Sequence, residues 1–300
     1  MRWQTIRLRV SGIFSVPKDS AECMTFGTET FLVLIALGFG VGAYGTLIGA
    51  GGGFVLMPLL LLSYPKDSPE LLTSISLAVV FFNVLSGSEA YGLMKRIDYR
   101  SGLMFAAATV PGAVLGALNT SYVPRHLFDA IFGVLMIAGA AFLIIQPRPP
   151  GTSSKQPSPS RYLVNRHLVD AHGNQYDYSF NPIVGIGLSL FVGYASSFLG
   201  TGGGIFHVPL LRYFLHFPVH IATATSHFVI AIMALTGTIV HITTGTFTHG
   251  VHRAIALAIG VAIGAQLGAH LSERVTGRWI IRSLAVALGI VGVRLLITVW

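Results

Sequence analysis

The sequence predicts an all-α polytopic membrane protein of about eight transmembrane segments in two homologous halves, each carrying a Gly-rich broken helix. Three observations predict it. Hydrophobic residues make up 53% of the 300-residue chain and charged residues only 10%, whereas charged residues are about a quarter of a soluble domain. Apolar runs near the ~20 residues that span hydrocarbon recur along the chain. Two nearly identical stretches, Gly49-Ala50-Gly51-Gly52-Gly53 running on to Pro58 and Gly200-Thr201-Gly202-Gly203-Gly204 running on to Pro209, interrupt such runs at matching places.

The segment 1–29 reads as a basic tail with Arg2, Arg7, Arg9 and Lys18, and Met24 stands as an alternative start just before the first apolar run. Residues 30–146 form the first membrane repeat. It opens with a span from Phe31 to about Ile48, a break at Gly49 to Gly53 and a short piece to Leu62, closed by Pro65 and Pro69. Spans from about Leu71 to Met94, Gly102 to Leu118 and Leu127 to Ile145 follow, separated by polar joints. Residues 147–181 read as a solvated linker, Pro/Ser-rich at first. Tyr162-Leu163-Val164 and Tyr176 to Phe180 then flank His172-Gly173-Asn174, whose turn chemistry suggests a β-hairpin. Residues 182–300 repeat the plan, with spans of about Ile183 to Leu199, Ile221 to Thr244, His252 to Leu271 and Trp279 to Trp300. His216 and His220, flanking Pro218, read as part of a connection, and Arg294 as a side chain reaching for the surface.

Overlaying the glycine stretches also aligns Leu37, Val41 and Gly42 with Leu188, Val192 and Gly193. A register shift of one then matches Thr73, Ser76 and Gly87 with Thr223, Ser226 and Gly237. This is the pattern of an internal duplication. If every long run crosses once, the tail, the Lys95 to Arg100 joint, the linker and Arg253 share one face, and their basic excess makes that face, with both termini, cytoplasmic. If each broken segment is instead re-entrant, each half crosses an odd number of times and the repeats are inverted.

Four glycines within five residues each cost a helix about 1 kcal/mol relative to alanine, so the helix breaks there and restarts toward the proline. Bare backbone inside a membrane is tolerated where it is buried in protein or lines a cavity. The restarting helix presents unpaired N–H groups and partial positive charge, which is the chemistry of an anion site. Gly51, Gly52, Gly53, Gly202, Gly203 and Gly204 are therefore the leading binding residues, against the alternative that they only permit close helix packing. Thr201 adds a hydroxyl where the first half has Ala50. Ser74, Ser76, Thr223 and Ser226, with Asn83 deeper in, supply hydroxyls and an amide that can bind oxyanions without burying a charge, with helix–helix hydrogen bonding an equal alternative for each. His207 and His227 lie in apolar segments where the first half has Leu56 and Leu77; each either stays neutral and bonded to a neighbouring carbonyl or titrates beside the anion, and His207, next to the second break, is the better placed to bring a proton.

The doubled Gly-x-Gly-Gly-Gly-x4-Pro motif, followed in each half by Thr/Ser clusters, resembles the TauE/SafE sulfite exporter family over roughly residues 30 to 300. The resemblance implies a multi-pass protein of the cell membrane that moves sulfite, sulfonates or related organosulfur anions. No Walker-type phosphate loop is present, which points to a secondary transporter without its own ATPase. No catalytic residue, metal site or cofactor is expected, since one cysteine, Cys23, and scattered histidines offer no ligand cluster. The expected partners are a small anionic substrate and the lipid bilayer, with a homo-oligomer left open. The formal charge of +8 serves orientation in the membrane rather than nucleic-acid binding. A passive anion channel shares these features. An intramembrane hydrolase on Ser226 and His227 is disfavoured, because adjacent helical residues do not face each other.

Overall fold

Long apolar runs form helices here because hydrocarbon leaves backbone groups no partners but one another. The computed structural model describes residues 28–145, 163–272 and 277–299; the basic tail with Cys23 and Met24, and the Pro/Ser-rich part of the linker, lie outside the described residues. In order come α1 (Thr28–Ile48), α2 (Gly53–Ser63), α3 (Pro69–Leu93), α4 (Tyr99–Asn119), α5 (Arg125–Ile145), β1 (Val164–Val169), β2 (Gln175–Phe180), α6 (Pro182–Leu199), α7 (Gly204–Tyr213), α8 (Val219–Thr243), α9 (Val251–Ser272) and α10 (Gly277–Val299). Among the described residues, 6 helices are long and apolar enough to cross a membrane: α1, α3, α4, α6, α8 and α9. Their surface is that of a lipid-facing protein, with Leu103, Phe191, Ile239 and Ile263 exposed while Thr73, Ser76, Thr223, Ser226 and His227 are buried.

Local chemistry starts the helices. Ser68 Oγ accepts from Leu71 N ahead of Pro69 at the start of α3, Asp98 accepts from Ser101 N at α4, and Asn181 accepts from Ile183 N ahead of Pro182 at α6. The strands pair antiparallel from Val164 opposite Phe180 to Val169 opposite Gln175. The first strand runs five residues beyond Val164, and the turn between the strands is closed by the Asp170 side chain, which accepts from the N–H groups of His172 and Asn174.

Small residues decide which helices touch. A Cβ added at Gly38 would lie 2.5 Å from Leu257 O and one at Gly42 would lie 2.6 Å from Val261 O, so α1 and α9 meet backbone to backbone. In the same way Gly112 and Gly116 of α4 press on Tyr194 and Phe198 of α6. The numbers rise together in both pairs, so these neighbours run parallel. By contrast α3 and α8 cross antiparallel, with His227 against Gly87 and Leu77 against Gly237. Gly250 lies against Ile75, and farther along Ser86 Oγ donates to Ala262 O, so α3 runs with α9 and hence with α1. The short α2 between α1 and α3 must therefore turn back toward the end at which α1 began.

This corrects the single-crossing reading of sides. Arg253 Nη1 donates to Asp67 Oδ2 at 2.6 Å, beside the start of α3, whereas the Lys95 to Arg100 joint lies at the other end of α3, where Ala171 N of the hairpin donates to Met94 O. Arg253 and that joint are at opposite ends because the glycine break reverses the chain. His220 is likewise in the first turn of α8, while His216, at φ 58, stays in the connection.

Candidate functional site

The two breaks are built alike. Gly49, Gly51 and Gly52 take φ of 86, 72 and 76, and Gly200, Gly202 and Gly203 take 66, 76 and 83, a region that side chains with a Cβ rarely adopt. In the first break, Ala50 N and Gly51 N both donate to Gly45 O, and α2 restarts as Val55 N and Leu56 N donate to Gly52 O. In the second, Phe206 N and His207 N donate to Gly203 O. The starts of α2 and α7 then meet across the molecule. A Cβ added at Gly53 would sit 2.6 Å from the carbonyl carbon of Thr201, and one at Gly204 would sit 2.5 Å from that of Ala50. Two positive helix ends thus converge on one buried spot.

Around this contact the predicted residues sort themselves. A side chain at Gly51 or Gly202 would run into Val84 or Val80. An added Cβ at Gly52 would meet Asn83 Nδ2 at 3.1 Å, and one at Gly203 would meet Ser196 Oγ at 3.0 Å and Met233 Sδ at 3.3 Å. Thr223 packs against Gly49 and Thr73 against Gly200, so each half supplies a threonine to the other half's break. Ser76 Oγ donates to Gly200 O at 2.6 Å, also across the halves. Ser74 instead donates to Leu71 O of its own helix. Asn83 Oδ1 accepts from Thr46 Oγ1, and its Nδ2 has no partner among the described residues.

The hydroxyls of Thr73, Thr201, Thr223, Ser226 and Ser196 are buried and without a hydrogen-bond partner among the described residues. Buried polar groups are satisfied nine times in ten or better. These exceptions gather around the starts of α2 and α7. His227 lies beside it, with Nδ1 3.3 Å from Thr223 O, Nε2 unpartnered and its ring edge-on to Tyr91. His207 lies farther along α7, between Ser189 Oγ at 3.5 Å and the Phe105 ring. Ser226 Oγ makes no hydrogen bond to its neighbour His227 among the described residues.

Sequence reasoning passed over Thr46, Ser196 and Ser197. Gly45-Thr46 and Ser196-Ser197 occupy matching places just ahead of the glycines, and small or polar pairs so close to a helix break were the available signal.

The family profile described as Sulfite exporter TauE/SafE matches residues 34–295, nearly the whole described fold. The chain belongs to the TauE/SafE family. Among its relatives in that family, the probable membrane transporter protein YunE of Bacillus subtilis (strain 168) is 32% identical over 222 residues, covering 72% of this chain and 80% of the relative. The probable membrane transporter protein MJ0441 of Methanocaldococcus jannaschii is 26% identical over 219 residues, covering 71% and 73%. No solved structure matches the chain. As a TauE/SafE member with six long apolar helices, it is a multi-pass membrane transporter.

Proposed function

We propose that this TauE/SafE protein is a secondary transporter of small anions in the cell membrane, with sulfite, sulfonates and related organosulfur anions as its substrate class. The paired breaks bind the anion near the midplane. Residues 30–146 and 182–300 act as inverted repeats, each contributing one helix pair that turns back at its glycines, and residues 147–181 join them on the cytoplasmic side. The observation that carries this reading is the group of unpartnered hydroxyls of Thr73, Thr201, Thr223 and Ser226 at the converging N-termini of α2 and α7. An oxyanion would accept from these hydroxyls, from Asn83 Nδ2 and from the helix N–H groups, all without a fixed counter-charge. Substrate identity rests on the family description alone.

His227, one helical turn from Thr223, is better placed than His207 to bring a proton with the anion. Its replacement by glutamine flattens the pH dependence of transport if it does so. The decisive experiment reconstitutes the purified protein in vesicles and measures sulfite, sulfonate and carboxylate flux with and without an opposing gradient. Uphill movement of an organosulfur anion is the expected result. Flux that only ever runs downhill would make the protein a channel, and no flux of any of these anions would remove the proposed substrate class.

A further inference from the structure

The hairpin end of the molecule holds a second buried set of polar groups that the breaks do not use. Arg96 follows α3 directly. Its backbone N–H donates to Tyr91 O and the preceding Lys95 takes φ 53, so the chain turns sharply and drives the Arg96 side chain inward, leaving it 6% exposed. Its Nε and Nη1 have no hydrogen-bond partner among the described residues. The carboxylate paired with it belongs to Asp170 in the hairpin turn, 3.5 Å from Nε.

That carboxylate is already taken. Asp170 Oδ1 accepts from His172 N and Asn174 N, both at 2.9 Å, and Oδ2 accepts from Asn174 Nδ2 at 3.0 Å and Tyr176 Oη at 3.3 Å. Burial alone would raise its pKa, yet these donors and Arg96 hold it down to about 2, so it stays charged. Asp170 thus balances the charge of Arg96 as an ion pair at 3.5 Å while Arg96 Nε and Nη1 stay without a hydrogen bond among the described residues. A buried guanidinium with idle donors is costly, and its planar fork suits an oxyanion. Capping of α3 does not account for these donors, because the backbone of residues 94 to 96 already closes that helix.

From Arg96 a line of polar contacts leads inward. On α3, Tyr91, Gly87 and Asn83 succeed one another a turn apart. Tyr91 Oη donates to Thr46 O and its ring meets His227, which rests on Gly87, and Asn83 reaches Gly52 of the first break.

We propose that Arg96 binds a small oxyanion beneath the β-hairpin, as an access site ahead of the glycine breaks, and that Asp170 is a tethered competitor that keeps this binding weak enough for the anion to be released inward. The inference rests on the transport reading given above for its substrate class. A site that must pass its anion on has to hold it loosely, and a fixed carboxylate beside the guanidinium does that.

The test titrates sulfite into purified full-length protein at neutral pH and follows it by calorimetry, comparing the parent with Asp170→Asn, Arg96→Gln and the double variant. Asp170→Asn is expected to bind sulfite at least about tenfold more tightly, and the double variant to lose that gain. A gain in affinity cannot arise from misfolding, so the Asp170→Asn arm stands even if Arg96→Gln is unstable. Arg96→Lys, which keeps the charge and loses the fork, should recover only part of the binding. Unchanged affinity in Asp170→Asn, a gain that survives in the double variant, or no sulfite binding to any form would overturn the proposal. Vesicle flux separates the two readings. Sulfite transport with parental KM in both single variants keeps the transporter and removes the Arg96 site. Arg96-dependent binding in a protein that moves no sulfite does the reverse.

Discussion

Replacing Gly53 or Gly204 by alanine tests whether the two breaks must touch. Both residues open a helix and neither has a positive φ, so alanine brings no backbone strain and the whole effect comes from the close approach. The new methyl at residue 53 would stand 2.6 Å from the Thr201 carbonyl carbon and from Val80 Cγ2, and that at residue 204 would stand 2.6 Å from Gly49 O. Ordinary contact begins near 3.4 Å, so the breaks would have to part by close to an ångström, and backbone cannot swing aside as a side chain can. Overpacking of this kind costs about 1–3 kcal/mol, and here the upper part of that range applies. Gly187, where an added Cβ meets nothing within 4 Å, is the control; alanine there should be neutral or stabilise by up to about 1 kcal/mol. Thermal unfolding in detergent and vesicle flux, measured on the same preparations, should show lowered melting and lost transport for the two break variants only. Parental melting and flux in both Gly53→Ala and Gly204→Ala would refute the backbone contact and the site built on it.

Thr223→Val removes an unpartnered hydroxyl at nearly constant volume; stability should hold or rise while anion affinity falls by roughly tenfold, the worth of one hydrogen bond, and unchanged binding would take Thr223 out of the site. Cysteines at Thr244 and His172, in a chain with Cys23 replaced by serine, should react with an impermeant thiol reagent from opposite faces, since Thr246 next to the first position meets Glu70 at the start of α3 while the hairpin meets Met94 at its end; single crossings put both on one face, so labelling of both from one face would contradict the turn at α2. The pH dependence of the hairpin follows from Asp170. A carboxyl held at about 2 when folded, against ~3.9 when free, stabilises fully above the free value and loses that contribution as pH falls through the folded one. Protection of the His172 and Asn174 amides, corrected for intrinsic exchange, should therefore be level from pH 7 to about 5 and decline below about 4. In Asp170→Asn it should be low throughout, and a parental profile in that variant would refute the assignment.

Helix identity was legible because apolar runs of spanning length leave the backbone few alternatives, and the breaks were legible because no helix absorbs four glycines in five residues. Direction was not. Whether α2 continues across or turns back depends on the φ values of Gly49, Gly51 and Gly52 and on Thr223 arriving from the other half, and composition carries neither. The pairing of Thr73 with Gly200 and Thr223 with Gly49 was invisible for the same reason, although the matching of the two threonines was in plain view. His220 was misplaced because Pro218 was read as the middle of a connection, whereas a proline at that position leads directly into α8. The role of Asp170 was hidden because a turn aspartate usually meets water, and nothing local indicates that this turn closes over Arg96.

The glycine seam between α1 and α9 also sets a timetable for the newborn chain. Gly38 and Leu257, which touch in the finished protein, are more than 200 residues apart, so at about 5–20 residues per second the ribosome needs roughly 10–40 s to supply α1 with its neighbour. During that interval a flat strip of small side chains on α1 faces lipid, which packs against it poorly, or any other helix at hand. The matching seam of α4 waits far less, because α6 follows after α5 and the hairpin. Assembly in the bilayer should thus begin at the α4 and α6 seam and close last at α1 and α9, and the first helix is the one most in need of protection while the rest is being made.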